Sequence, residues 1–217
     1  MPSGWGTDVA LVEYLIARDG PPPRRGLAYD YVLAGDGLYL VARNRYLDVR
    51  VPVAVVPVRG LPPLYPSVTL RTGRLPAEIW GQIVAVARAW SRHGQEVLCT
   101  VGYDDTSGYR LALPRQVAGP EAVCYRPVGE AVLEIHSHCR YPAQFSPTDD
   151  GDEQGLRLYG VLGRLDGVCP EVALRVGAYG HFLPLPWEAV FAGGRGDFRD
   201  ANFEGAGDAP TDDDVPH

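Results

Sequence analysis

His136 and His138 lie two residues apart in the segment Glu-Ile-His-Ser-His-Cys that begins at Glu134. The run from 131 to 138 predicts a β-strand, in which residues i and i+2 project from the same face. Both imidazoles would then point to the same side of a sheet. Two imidazoles held in this way form a chelating pair for a metal ion.

Ser146 and Asp149 complete a longer pattern, His-x-His-x7-Ser-x2-Asp. Zinc in a hydrolase takes three nitrogen or oxygen ligands from the protein and keeps a fourth position for water, which it acidifies. The two histidines and Asp149 supply such a set. The Ser-Pro-Thr sequence before Asp149 predicts a helix start that aims the carboxylate back at the strand. The Ser146 hydroxyl is then left to hydrogen-bond an oxyanion or to orient a ligand.

The pattern resembles that of the JAMM family of zinc metalloproteases, also called the JAB or MPN family, whose motif is an upstream glutamate followed by His-x-His-x7-Ser-x2-Asp. The resemblance covers residues 66–192 and looks like the prokaryotic branch, including the PRTRC system protein A group. It implies that His136, His138 and Asp149 bind Zn²⁺ and that Ser146 supports the tetrahedral intermediate. It also implies a JAB/MPN-like fold, with a core similar to that of cytidine deaminases.

The resemblance leaves the catalytic glutamate to be located separately. In the family it opens the first strand after the first long helix, and Glu96 stands at that place in this chain. Glu134 is the rival because it shares a strand face with the histidines, although that position puts it beside the ligands and not across the water from them. Glu78 is more simply a first-turn helix acid, and Glu130 a solvated loop charge.

Two features depart from the family pattern. Cys139 follows the second histidine, where the family commonly has proline. Strand alternation predicts that its thiol points away from the metal and packs in the protein. The helix expected at Asp149 contains two glycines within seven residues, Gly151 and Gly155, so we expect it to be short.

Composition restricts the remaining classes of function. No segment approaches the ~18 consecutive apolar residues of a membrane helix, and the N-terminus does not resemble a secretory signal, which favours a cytoplasmic protein. The four cysteines form no C-x-x-C pair. The net charge of −7 is concentrated after residue 193, so the body is too balanced to attract nucleic acid.

The pattern of apolar residues predicts a mixed α/β fold, and the resemblance implies a mixed, curved β-sheet flanked by helices. We expect a β-rich extension over 1–65, a metalloprotease-like domain over 66–192, and a disordered acidic tail over 193–217. Within these segments, helices are predicted from Val9 to Arg18 and from Pro76 to about Arg92.

The leading hypothesis is a zinc metallopeptidase or isopeptidase that acts at the C-terminus of a ubiquitin-like or sulfur-carrier protein. The alternative is a non-catalytic MPN-like scaffold that binds such a partner. A nucleobase deaminase is disfavoured because the chain lacks a His-x-Glu motif with Pro-Cys-x-x-Cys. The oligomeric state is left open, with a homo-oligomer as one option.

Overall fold

The computed structural model describes residues 10–118, 123–125 and 131–203. The first part of the chain forms a five-stranded sheet in the order β1-β2-β3-β4-β5. Its strands are β1 (Val12–Ile16), β2 (Tyr29–Ala34), β3 (Gly37–Arg43), β4 (Leu47–Val55) and β5 (Ser67–Leu70). The sheet therefore extends past residue 65, where the sequence suggests the end of the β-rich extension.

The helix predicted from Val9 to Arg18 is wrong: the described part of this segment contains β1, which pairs in parallel with β2. Its apolar residues fit a helical spacing, but backbone pairing with β2 determines the conformation. The pairing continues beyond the strand, where the Ala17 N–H donates to Leu33 O at 2.9 Å. Tyr14 stacks on Tyr31 across the two strands, a cross-strand contact that stabilises sheets.

Helix α1 (Ala77–Ser91) follows the first sheet, as predicted, with Pro76 immediately before its first turn. It buries Ile79, Trp80, Ile83 and Ala87. These side chains belong to one hydrophobic core that also includes Leu47 of the first sheet. The β-rich part and the remainder of the described chain thus share a core.

The second sheet carries the candidate site. Its six main strands have the order β13-β12-β11-β10-β6-β7, and β14 pairs with β12. Neighbouring strands are antiparallel except for the parallel pairs β10 with β11 and β12 with β14. The remaining elements are β6 (Leu98–Asp104), β7 (Gly108–Ala112), the small pair β8 (Gln116–Ala118) and β9 (Val123–Tyr125), β10 (Leu133–Ser137), α2 (Pro147–Asp152), β11 (Arg157–Gly163), β12 (Glu171–Ala178), β13 (His181–Leu185), α3 (Trp187–Val190) and β14 (Arg199–Asp200).

The prediction of a disordered tail over 193–217 is wrong for its described part, 193–203, which packs against the protein. Phe198 is buried against Trp80, with ring centroids 5.1 Å apart. The Asp200 carboxylate accepts a hydrogen bond from the Trp187 N–H at 2.8 Å. The acidic composition does not reveal these contacts. Burial of the Phe198 ring stabilises the folded chain, whereas charges that stay in water contribute little. The rest of the predicted tail, 204–217, lies outside the described residues.

These elements make a mixed α/β protein with two mixed sheets and few helices, in agreement with the predicted class. In the described ranges, no helix has both the length and the apolar character that a membrane crossing requires.

Candidate metal centre

The second sheet has two faces of different character. Leu133 and Ile135 of β10 point into the main core, together with Leu158 and Leu174 of the neighbouring strands. Because side chains alternate along a strand, the residues between them point the other way. We call this opposite side the site face; it receives Glu134, His136, Tyr159, Val161, Ala173 and Arg175.

His136, His138 and Asp149 meet on the site face. The Nε2 atoms of the two histidines are 3.0 Å apart, and Asp149 Oδ1 is 3.5 Å from His136 Nε2. One ligand atom from each of the three residues lies within 4.8 Å of the others. Two nitrogens bound to one zinc at tetrahedral geometry are about 3.3 Å apart. The triad therefore fits zinc in both spacing and donor type.

Two hydrogen bonds to backbone carbonyls hold His138 in its orientation. Its backbone N–H donates to Leu162 O at 2.7 Å, and its Nδ1 lies 3.1 Å from the carbonyl oxygen of Pro142. A carbonyl can only accept, so Nδ1 carries a proton, and in the neutral imidazole Nε2 then has the free electron pair on the side of His136. A hydrogen bond of this kind is the usual support for a metal-binding histidine.

Asp149 is held by the residue that begins its helix. Ser146 donates to Asp149 Oδ2 with its backbone N–H at 2.6 Å and its hydroxyl at 2.8 Å, while its Oγ accepts from the Asp149 N–H. This reciprocal arrangement is a capping box. It occupies Oδ2 and leaves Oδ1 facing His136. Of the two roles predicted for Ser146, this geometry corresponds to orientation of a ligand.

The electrostatics of His136 favour the neutral form that binds a metal. Burial lowers the pKa of His136 to about 4; the Asp149 carboxylate opposes the shift, and the neighbouring His138 and Arg175 reinforce it. A neutral imidazole at pH 7 needs no deprotonation before it coordinates.

Glu96 is almost fully buried and lies just before β6. The register pairs Leu98 with His136, and two further contacts continue it: Ser137 N–H donates to Val97 O, and the Cys139 thiol lies against Gln95 O. Continuation of this register places Glu96 opposite His138. Residues directly opposite in an antiparallel pair share a face, so Glu96 belongs to the site face.

Glu134 also lies on the site face, but it is engaged in an ion pair with Arg157. Burial raises the pKa of Glu134, and Arg157 opposes this shift by its charge and hydrogen bond. This ion pair joins β10 to the neighbouring strand β11, which is a structural role for Glu134.

The thiol of Cys139 points away from the triad, as the sequence predicts. Its Sγ donates to Gln95 O at 3.1 Å, on the side of β6, and the thiol does not belong to the metal-binding group. Burial raises the pKa of Cys139, as does the charge of Glu96, while a hydrogen bond with Ser91 lowers it. Burial is the largest of these influences, and it favours the protonated thiol over the thiolate that metals bind.

Sequence reasoning missed Arg175, on the site face, and Glu153, at the C-terminal end of α2. Both are buried, and they form an ion pair. Burial raises the pKa of Glu153, and the charge and hydrogen bonds of Arg175 oppose this shift and favour the carboxylate. The available signal was an arginine in the otherwise apolar run 172–178, because a charge in a buried strand requires a partner.

A scan against protein-family models finds no matching family for this chain, and a search of curated proteins finds no relative. The chemistry that the site can perform therefore follows from its own residues and their geometry.

Proposed function

We propose that this protein is a zinc-dependent metallopeptidase or isopeptidase similar to the JAMM family. Its second sheet with α1 and α2 would then be a JAB/MPN-like domain. The observation that carries the proposal is the convergence of two histidine nitrogens and one carboxylate oxygen, with the chain spacing His-x-His-x7-Ser-x2-Asp. Each ligand is oriented by a hydrogen bond or by the strand that bears it.

The residues around the triad suggest a division of roles. When bound, zinc would polarise the scissile carbonyl and acidify the attacking water. Glu96 would accept the proton from that water and pass it to the leaving amine; its buried place opposite His138 supports this role. The resemblance would direct Ser146 to the oxyanion. Its hydroxyl proton is donated to Asp149 here, so the geometry supports orientation of the carboxylate.

A peptide substrate is favoured by the edge of β6 beside the site. β7 pairs with β6 as far as Thr100. At Leu98, the backbone N–H donates to Gln116 Oε1 at 2.8 Å, and the carbonyl accepts from Gln116 Nε2 at 3.1 Å. A side-chain amide thus takes the place of a peptide group. An extended substrate tail could make the same two hydrogen bonds by displacing it.

We further propose that the substrate is the C-terminus of a ubiquitin-like or sulfur-carrier protein. Such proteins end in a narrow, extended tail, which suits a strand edge next to a metal centre. The test is to incubate the zinc-loaded chain with a panel of these proteins, each extended through an amide or isopeptide bond. Zinc-dependent release of the extension, abolished by chelation, is expected. A chain that holds zinc and binds the panel but cleaves no member would be the scaffold instead.

A further inference from the structure

Arg175 occupies the centre of β12, where it projects onto the site face. Its register partners are Tyr159 on β11 and Pro184 on β13. Only 8% of its side chain is exposed. An arginine buried to this degree is costly unless its donors are satisfied.

The guanidinium of Arg175 is bound to α2. Its Nε and Nη2 donate to Glu153 Oε2 at 2.8 and 2.5 Å, and its Nη1 donates to Asp150 Oδ1 at 2.7 Å. Asp150 adjoins Asp149 in the chain, and the backbone N–H of Glu153 donates to Asp149 O at 2.9 Å. Arg175 therefore binds the helix at two points close to the third candidate ligand, one and four residues after Asp149.

Two aromatic rings fix the plane of the same guanidinium. Its central carbon lies 3.7 Å from the ring centroid of Phe145 and 3.8 Å from that of Phe182. Phe145 immediately precedes Ser146, whereas Phe182 belongs to β13. Stacking of this kind stabilises a cation and restricts its orientation. The arginine thus connects the segment before α2 to the sheet as well.

Helix α2 needs such an anchor, because none of its own side chains is buried against the protein. It contains six residues. A single short helix is unstable in water without tertiary contacts. The capping box fixes the conformation within 146–149, but it makes no bond to the sheet that carries the histidines.

We propose that Arg175 is a positioning residue that sets Asp149 at coordination distance from His136 and His138. The proposal rests on the metal site proposed above. It assigns to an arginine 26 positions after Asp149 the task of holding an anionic ligand, without itself touching the metal.

The sign of the effect distinguishes positioning from electrostatics. A positive charge near a divalent ion repels it. If Arg175 acted only through its charge, its removal alone would tighten zinc binding, and its removal together with the charge of Glu153 would leave zinc binding nearly unchanged. If it acts by holding α2, its removal will weaken zinc binding despite the loss of repulsion.

The variants must avoid leaving Glu153 buried without a partner, since a broken buried pair is strongly destabilising. Arg175→Met with Glu153→Gln removes both charges and keeps most of the volume. Arg175→Lys retains the charge but cannot bind both carboxylates with a fork of donors. Arg199→Met is the matched control, because Arg199 pairs with Glu171, which keeps Arg164 as a second partner.

The experiment measures the Kd for zinc by competition with a chromophoric chelator, together with the Tm of each metal-free full-length chain. We expect the double variant to keep a Tm near that of the wild type and to bind zinc ~10–100-fold more weakly. Arg175→Lys should lie between it and the wild type, and Arg199→Met should bind like the wild type.

Equal or tighter zinc binding by folded Arg175 variants would overturn the positioning role and leave the metal site intact. If the double variant does not fold, the Kd of Arg175→Lys for zinc, compared with that of the wild type, tests the positioning role. A wild type that binds no zinc, or binds it equally after His138→Ala, would overturn the metal site itself and the role of Arg175 with it.

Discussion

Ser146 donates two hydrogen bonds to a single carboxylate oxygen of Asp149, one from its backbone N–H and one from its hydroxyl. The other carboxylate oxygen faces His136 Nε2 at 3.5 Å. Asp149 is thus both the N3 residue of the capping box and a candidate metal ligand. The local signal that starts α2 also determines which oxygen is available to a metal.

Substitution of Ser146 should therefore affect the metal site before it affects any chemical step. Ser146→Ala removes the hydroxyl, which should cost about 1 kcal/mol in the free energy of unfolding and weaken zinc binding by ~10–100-fold. Ser146→Thr keeps a hydroxyl and is the control. Calorimetric zinc titration of both variants measures the effect. Unchanged zinc affinity with impaired hydrolysis would instead assign the hydroxyl to the oxyanion.

The two glutamates on the site face should behave differently when each is changed to glutamine. Glu96→Gln removes a proton acceptor without removing a ligand, so zinc should stay while hydrolysis falls by ~10²–10⁴-fold. Glu134→Gln should retain activity and lose stability, because it weakens the pair with Arg157. Zinc content, turnover and Tm are compared in one series. An inactive Glu134→Gln beside an active Glu96→Gln would reverse the assignment.

The metal-free protein should lose stability as the pH falls, in part through His136. Its pKa is about 4 in the folded chain against an ordinary value of 6.5, so between these values the unfolded chain binds the proton and the folded chain does not. The contribution is complete above pH 6.5 and is lost toward pH 4.

Urea unfolding in the presence of a chelator, from pH 7 to pH 4, measures this effect. The wild type should lose free energy of unfolding more steeply than His136→Gln, which has no imidazole at this position. Glu153, with its raised pKa, contributes an opposite slope to both proteins, so the difference between the profiles isolates His136. Parallel profiles would mean that His136 protonates equally in both states.

The segment after Gly193 should be needed for stability. Deletion of 193–217 removes Phe198 from Trp80, together with the ion pair of Arg88 with Asp197. Loss of a buried phenylalanine costs roughly 3–5 kcal/mol, which corresponds to a fall in Tm on the order of 10 °C. A chain that ends at Phe203 keeps these contacts and is the control. An equal Tm for both truncated chains would show that Phe198 contributes nothing.

Local geometry explains which features could be predicted from the sequence. The side chains of His136 and His138 share a face because any strand places i and i+2 together, and Ser146 with Pro147 indicates the helix that presents Asp149. Non-local pairing was not predictable. The apolar residues of β1 fit a helix until β2 is present, and the partners of Arg175 lie 22 and 25 residues away.

The zinc content of the purified chain tests the central claim most directly. The wild type, freed of metal and reloaded, should hold about one zinc per chain after dialysis, measured by atomic emission. His136→Ala with His138→Ala should hold almost none, and Asp149→Asn should hold less than the wild type because an anionic ligand becomes neutral. Equal zinc content in the wild type and the double histidine variant would contradict the assignment of this site.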